Sequence, residues 1–264
     1  MKNKDSFKVI PFPKHRDMLA DLANLTPKHY IQGLVEFDVT EARKFFQIYR
    51  EEKGERLSFT GWLIKCIGQA VSEYKHIQAY RKGKKLIIFD DVDVGLTIER
   101  EVKGRKIVTG YIVRKANEKN VFQIHKEIRA AQEEEKIDGA LVGEDEAAQT
   151  VARIQFTSRF LRRMVIWWYR GNILRRKKTQ GTVGITSIGM FGNISGWPLV
   201  LGPYPLFFGI GSITKKPMFI GNDIEPREFL QVCIMFDHNS VDGADATRFI
   251  IRLNELLKEG FGLN

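Results

Sequence analysis

The sequence predicts an α/β fold in which helices pack on one large sheet whose strands run out of chain order. Three observations carry this. Apolar residues recur at helical spacing in Phe59–Tyr74 and in Val241–Leu257, the signature of helices with one buried face. The last third changes to β-branched and aromatic runs punctuated by glycine, as in Gly181–Ile188, Pro205–Ile213 and Phe229–Phe236. The two kinds of segment are mixed along 264 residues, a length that one large core can serve, so a single domain spanning 1–264 is expected.

In chain order, Asp17–Leu25 has helical spacing and stops at Thr26-Pro27, because the residue before a proline is pushed out of the helical region. Tyr30–Val39 alternates as a strand, and a helix follows from Thr40 to about Arg50. Ser58 is placed to cap Phe59–Tyr74 by accepting from a first-turn amide. Lys85–Phe89, Asp93–Glu99 and Ile107–Ile112 read as consecutive strands, the last following a turn at Lys103-Gly104. Asn117–Lys136 reads as an exposed charged helix and Gly143–Trp168 as a longer one. Met218–Ile220 reads as a short strand, joined to Phe229–Phe236 through a hairpin around Gly221-Asn222-Asp223-Ile224-Glu225-Pro226. Val241–Leu257 closes the chain, with Ala246, Phe249, Ile250, Leu253, Leu256 and Leu257 on its buried side.

Composition narrows the function. Lys+Arg number 42 against 32 Asp+Glu, and the net charge of +10 favours anionic partners. The charge is spread along the chain without a zinc-finger, RNP or basic-zipper pattern, so nucleic acid is not the expected partner. Cys66 and Cys233 sit far apart inside apolar runs, as buried thiols rather than a metal or redox pair, and a reducing cytoplasm is the expected location. Met1–Phe7 lacks the apolar core of a signal peptide. The apolar run within Phe160–Leu174 falls short of the roughly 20 residues that span a bilayer.

The chemistry concentrates in Phe236-Asp237-His238-Asn239-Ser240-Val241-Asp242-Gly243, where a strand ends and a polar turn leads into a helix. A histidine on so rigid a support can act as a general base, because an imidazole with an ordinary pKa near 6.5 is largely neutral at pH 7. The other histidines, His15, His29, His76 and His125, show no paired metal spacing and read as structural or surface residues; no metal site is expected. The Gly209-Ile210-Gly211 pair lies in a strand rather than at a helix start, so it is no dinucleotide fingerprint.

Phe236-Asp237-His238-Asn239-Ser240-Val241-Asp242-Gly243-Ala244-Asp245-Ala246-Thr247-Arg248-Phe249 resembles the active-site signature FDHRVxDGAxAARF of the dihydrolipoyl acyltransferases of 2-oxoacid dehydrogenase complexes. Its HxxxDG core also resembles that of chloramphenicol acetyltransferase. Further segments match in order. Gly181–Gly192 resembles GTFTISNLGMFG, Phe208–Ile213 resembles the ILGVGxI strand, Ile10–Arg16 resembles IPLSRIR, and Val35–Glu41 resembles VDVTE.

The resemblance implies a chloramphenicol acetyltransferase-like two-layer fold, a large mixed sheet with helices packed on it. It implies a coenzyme A-dependent acyltransferase that moves an acyl group between coenzyme A, as co-substrate, and a dihydrolipoyl or small-molecule acceptor. His238 takes the role of general base and Thr186, aligned with the family's serine, that of the hydroxyl donor to the oxyanion, with Ser187 as the substitute. Asp242 either holds the His238 loop, together with Arg16, or is a solvent-exposed turn aspartate, and His29 falls where the family lines its channel. A homotrimer or a multiple of three, with sites between subunits, is implied. The rival reading is a catalytically silent trimeric scaffold, which has no chemical use for His238.

Two departures stand out. No lipoyl or subunit-binding domain is expected ahead of Ile10, and a lipoyl group is expected only in trans, on a carrier domain of another chain. The basic, aromatic stretch Arg159–Lys178 has no counterpart in the signature, and is open to burial against a neighbouring subunit, covering the channel, or lying on an anionic surface.

Overall fold

The computed structural model describes residues 29–102, 105–133, 164–165, 167–169, 171–188 and 195–263. Its elements in chain order are β1 (Tyr30–Asp38), α1 (Thr40–Lys53), α2 (Phe59–Glu73), a 3-10 turn (Lys75–Gln78), β2 (Tyr80–Lys82), β3 (Lys85–Ile87), β4 (Val94–Val102), β5 (Arg105–Val113), α3 (Val121–Glu133), α4 (Ile173–Gln180), β6 (Val183–Ser187), β7 (Leu206–Ile220), β8 (Asp223–Asp237) and α5 (Gly243–Lys258). Six strands form one mixed sheet in the order β1-β8-β7-β6-β4-β5, while β2 and β3 form a separate ribbon. β6 runs parallel to β4 and β7; the other neighbours are antiparallel. The expected α/β class, with strands out of chain order, is what is found.

Strand pleat decides the two faces. Ile185, Phe208, Ile234 and, on the neighbouring strands, Val94, Leu96, Phe236 and Leu206 point one way into a core shared with Trp62, Ile64 and Ile67 of α2, Ile124 of α3, and Phe249 and Leu253 of α5. The opposite face carries Phe207, Cys233 and Met235, covered by Val200 from the segment before β7. That segment is pressed close: a Cβ on Gly209 would lie 2.5 Å from the carbonyl oxygen of Pro198, and one on Gly211 2.5 Å from that of Gly196. The strand glycines therefore exist to let a second backbone approach. Gln231, buried, receives the Gly196 amide at 2.7 Å, and Gln32 donates to the Val200 carbonyl at 2.6 Å.

Several expectations need correction. Met218–Ile220 is the outer end of one 15-residue strand, and β8 likewise begins at Asp223, with a register irregularity between Ile210 and Ile213. The outer part projects from the core, so its polar and proline residues give no one-sided pattern for a sequence to display. The expected hairpin is present, as a two-residue turn at Gly221-Asn222 with Gly221 at φ 62°, a left-handed conformation that glycine adopts freely. Lys85–Phe89 shortens to β3. The charged helix of Asn117–Lys136 is α3, and it is not merely exposed: Val121, Ile124, His125, Ile128 and Ala131 are buried. His76 lies in the 3-10 turn. Cys66 and Cys233 are free and buried, and burial raises both thiols. The expected helix Asp17–Leu25 and most of Gly143–Trp168 lie outside the described residues; 164–165 and 167–169 are helical. Among the described residues no helix is long and apolar enough to cross a membrane, and no cluster of side chains is arranged to hold a metal.

Candidate active site

His238 sits just past the end of β8, in a turn built by its neighbours. The turn closes through the Ser240 and Val241 amides, which donate to the Asp237 carbonyl at 3.0 and 3.1 Å. The Asp237 carboxylate accepts from the Asn239 amide at 3.0 Å and from its side chain at 2.7 Å. The His238 amide donates to the His29 carbonyl at 2.8 Å, which ties the turn to the residue before β1. With its backbone fixed twice over, the imidazole has one local partner: Nδ1 lies 2.7 Å from the Val241 carbonyl oxygen. A carbonyl can only accept, so Nδ1 is the donor, and in the neutral imidazole Nε2 keeps its lone pair. That tautomer is the one a general base needs.

Asp242 caps α5. Its carboxylate accepts from the Asp245 amide at 2.9 Å, and the Asp245 and Ala244 amides hold it below the usual carboxylate range. It thus fixes where the helix starts, one residue after the carbonyl that orients His238. Arg16, its expected partner, lies outside the described residues, as does His15. His29 contributes its backbone carbonyl to the turn. His125 is buried and accepts from the Ser58 amide at 3.1 Å, a structural role, and His76 lies 3.4 Å from the Asp245 carboxylate.

Thr186 lies on β6, between Ile185, buried on the helix-covered face, and Ser187. Alternation sends the Thr186 side chain to the opposite face, beside Gly209, and sends Ser187 back toward the helices. The two hydroxyls therefore address different sides of the sheet. Thr186 is level with Gly209 and, across β7, with Cys233, whereas His238 follows Asp237, four residues further along β8. At about 3.3 Å per residue and about 4.8 Å between strands, Thr186 is roughly 16 Å from Asp237 in one chain, and farther from His238. One substrate carbonyl cannot touch both.

The model of the family 2-oxoacid dehydrogenases acyltransferase (catalytic domain) matches residues 14–150 and 162–261. The chain belongs to this acyltransferase family. It is 21% identical over 261 residues to the dihydrolipoyllysine-residue succinyltransferase component of the 2-oxoglutarate dehydrogenase complex of Haemophilus influenzae, covering 96% of this chain and 54% of that protein. It is 25% identical over 207 residues to the dihydrolipoyllysine-residue acetyltransferase component of the pyruvate dehydrogenase complex of Acholeplasma laidlawii, covering 78% and 32%. The chain thus spans about half or less of the length of these relatives. A probable dihydrolipoamide acetyltransferase from Listeria monocytogenes shares the fold with a TM-score of 0.67 at 20% identity, over 96% of this chain and 95% of that one. The cubic core of a pyruvate dehydrogenase multienzyme complex does so with a TM-score of 0.66 at 18% identity, over 97% and 93%.

For this member of the acyltransferase family, the sequence did not single out the residues that aim His238. Asp237, Asn239 and the Val241 carbonyl do so through a side-chain-to-backbone turn, and the Asp-x-Asn spacing at 237–239 is the signal that marks it. Nor did it single out Tyr80, which lies buried near the turn, where Ser240 Oγ donates to the adjacent Ala79 carbonyl at 3.4 Å. Burial raises the Tyr80 phenol, and the Arg176 guanidinium packs 4.7 Å from its ring. Tyr80 is a neutral prop rather than a second base.

Proposed function

We propose that the chain transfers an acyl group between coenzyme A and a thiol acceptor, a dihydrolipoyl group on a separate carrier domain being the acceptor that its relatives suggest. His238 Nε2 takes the proton of the attacking thiol, and the thiolate adds to the thioester carbonyl. The Thr186 hydroxyl donates to the oxyanion, which collapses to expel the second thiolate; that thiolate recovers the proton from His238. The observation that carries this reading is the His238–Val241 hydrogen bond, which commits Nδ1 as the donor and makes Nε2 the basic nitrogen of the neutral ring. A silent scaffold has no use for such an orientation.

The separation of His238 from Thr186 implies a site completed by two copies, His238 from one and Thr186 from the next. The face that carries Thr186 supports this, since Leu34, Ile188, Trp197, Leu199 and Leu201 are exposed on it or beside it. Apolar groups gathered in this way favour contact with another surface. The test is transfer from acyl-CoA to a free lipoyl domain and to free dihydrolipoamide, with the mass in solution measured by light scattering. Acyl transfer by a trimer, or a multiple of three, is the expected result. A stable monomer with full activity overturns the shared site, and absence of transfer with every thiol acceptor overturns the reaction.

A further inference from the structure

The β2–β3 ribbon and the start of α4 form a second surface, which the proposed reaction leaves unused. They wall a groove of about 880 Å³ lined by Arg81, Lys82, Ile87, Trp167, Trp168 and Leu174. Trp167 is 78% exposed and Leu174 70%, while the Arg175 guanidinium stacks 4.4 Å from the Trp168 ring. The ribbon adds Arg81, Lys82, Lys84 and Lys85, all exposed, and no carboxylate occurs between Tyr80 and Phe89 or between Trp167 and Lys178. Lys82, Lys84 and Lys85 make no ion pair among the described residues.

We propose that this face docks the protein on an anionic lipid surface. Protruding tryptophan and leucine beside a cationic rim match the two attractions of such an interface, apolar burial at the headgroup level and attraction to acidic lipids. A second copy fits poorly, because among the described residues this face offers cations without carboxylates to pair them. Trp167 and Leu174 would enter the headgroup region, and the ribbon lysines would lie along the lipid phosphates.

The test is co-sedimentation of the full chain with vesicles of phosphatidylcholine alone and of equimolar phosphatidylcholine and phosphatidylglycerol. Binding is expected only to the anionic vesicles, with a blue shift in tryptophan emission and weakening as salt rises. The triple change Lys82→Ser, Lys84→Ser and Lys85→Ser alters exposed side chains that form no ion pair among the described residues. It should lower partitioning on the order of 100-fold, at about fivefold per cation. Trp167→Ala with Leu174→Ala should weaken binding and reduce the blue shift. No binding to the anionic vesicles overturns the proposal, as does binding that neither variant weakens. So does an oligomer that Trp167→Ala with Leu174→Ala breaks into monomers, or an acidic protein domain that the face holds while vesicles are ignored, because the face is then a protein interface.

Discussion

The turn that carries His238 is closed by hydrogen bonds among residues 237–242, whereas Thr186 is placed by strands distant in sequence, β4 on one side and β7 on the other. Both regions belong to one sheet, yet local chemistry aims the first and only assembly of the sheet aims the second. The proposed proton acceptor is thus oriented within a short peptide. The proposed oxyanion donor depends on the pleat of β6 and, for its partner histidine, on another copy.

The largest effect should come from the locally built half. His238→Ala is expected to lower turnover by about 10²–10⁴-fold, with unchanged circular dichroism, because it removes only the acid/base group. Near-normal turnover would break the assignment. Thr186→Val should lower turnover by about 10²–10³-fold with little change in KM for acyl-CoA, as befits a donor used in the transition state. Ser187→Ala should change turnover little, since Ser187 faces the helices; a larger loss from Ser187→Ala than from Thr186→Val would exchange the two roles.

Mixing tests the comparison directly. Chains with His238→Ala and chains with Thr186→Val, unfolded and refolded together in equal amounts, should regain about a quarter of wild-type activity, from interfaces that pair an intact His238 with an intact Thr186. A site contained in one chain predicts no recovery.

Asp242→Ala should lower thermal stability, by unsatisfying the first amides of α5, while Asp242→Asn retains the cap and most of that stability. If Asp242→Asn abolished turnover at unchanged stability, Asp242 would join the catalytic groups.

The smallest effect concerns acid. Burial would raise Asp38, but the Thr40 hydroxyl and amide and the Arg227 guanidinium, 2.8 Å away, hold its carboxyl below the ordinary range. A carboxyl lowered on folding contributes stability above its unfolded pKa of about 3.9, and that contribution is lost as pH falls through the folded value. Arg227→Gln should therefore lower the melting temperature at pH 7 more than at pH 3; an equal loss at both would mean that the pair is not responsible.

The sequence by itself determined most of the helices and the inner strands. The face of α2 that buries Trp62, Ile64 and Ile67, the cap at Ser58 and the turn at Gly221-Asn222 are local patterns, each with a local physical cause. It also marked His238 and Thr186 as the candidate pair. Only the tertiary structure decided which way each points. His238 took its tautomer from the Val241 carbonyl, Thr186 and Ser187 were sent to opposite faces because neighbouring residues in a strand alternate, and β7 with β8 ran past the core where no buried face constrained their sequence. Periodicity records which residues leave water, but the direction and level of a side chain follow from strand register, which is fixed by contacts between residues far apart in the chain.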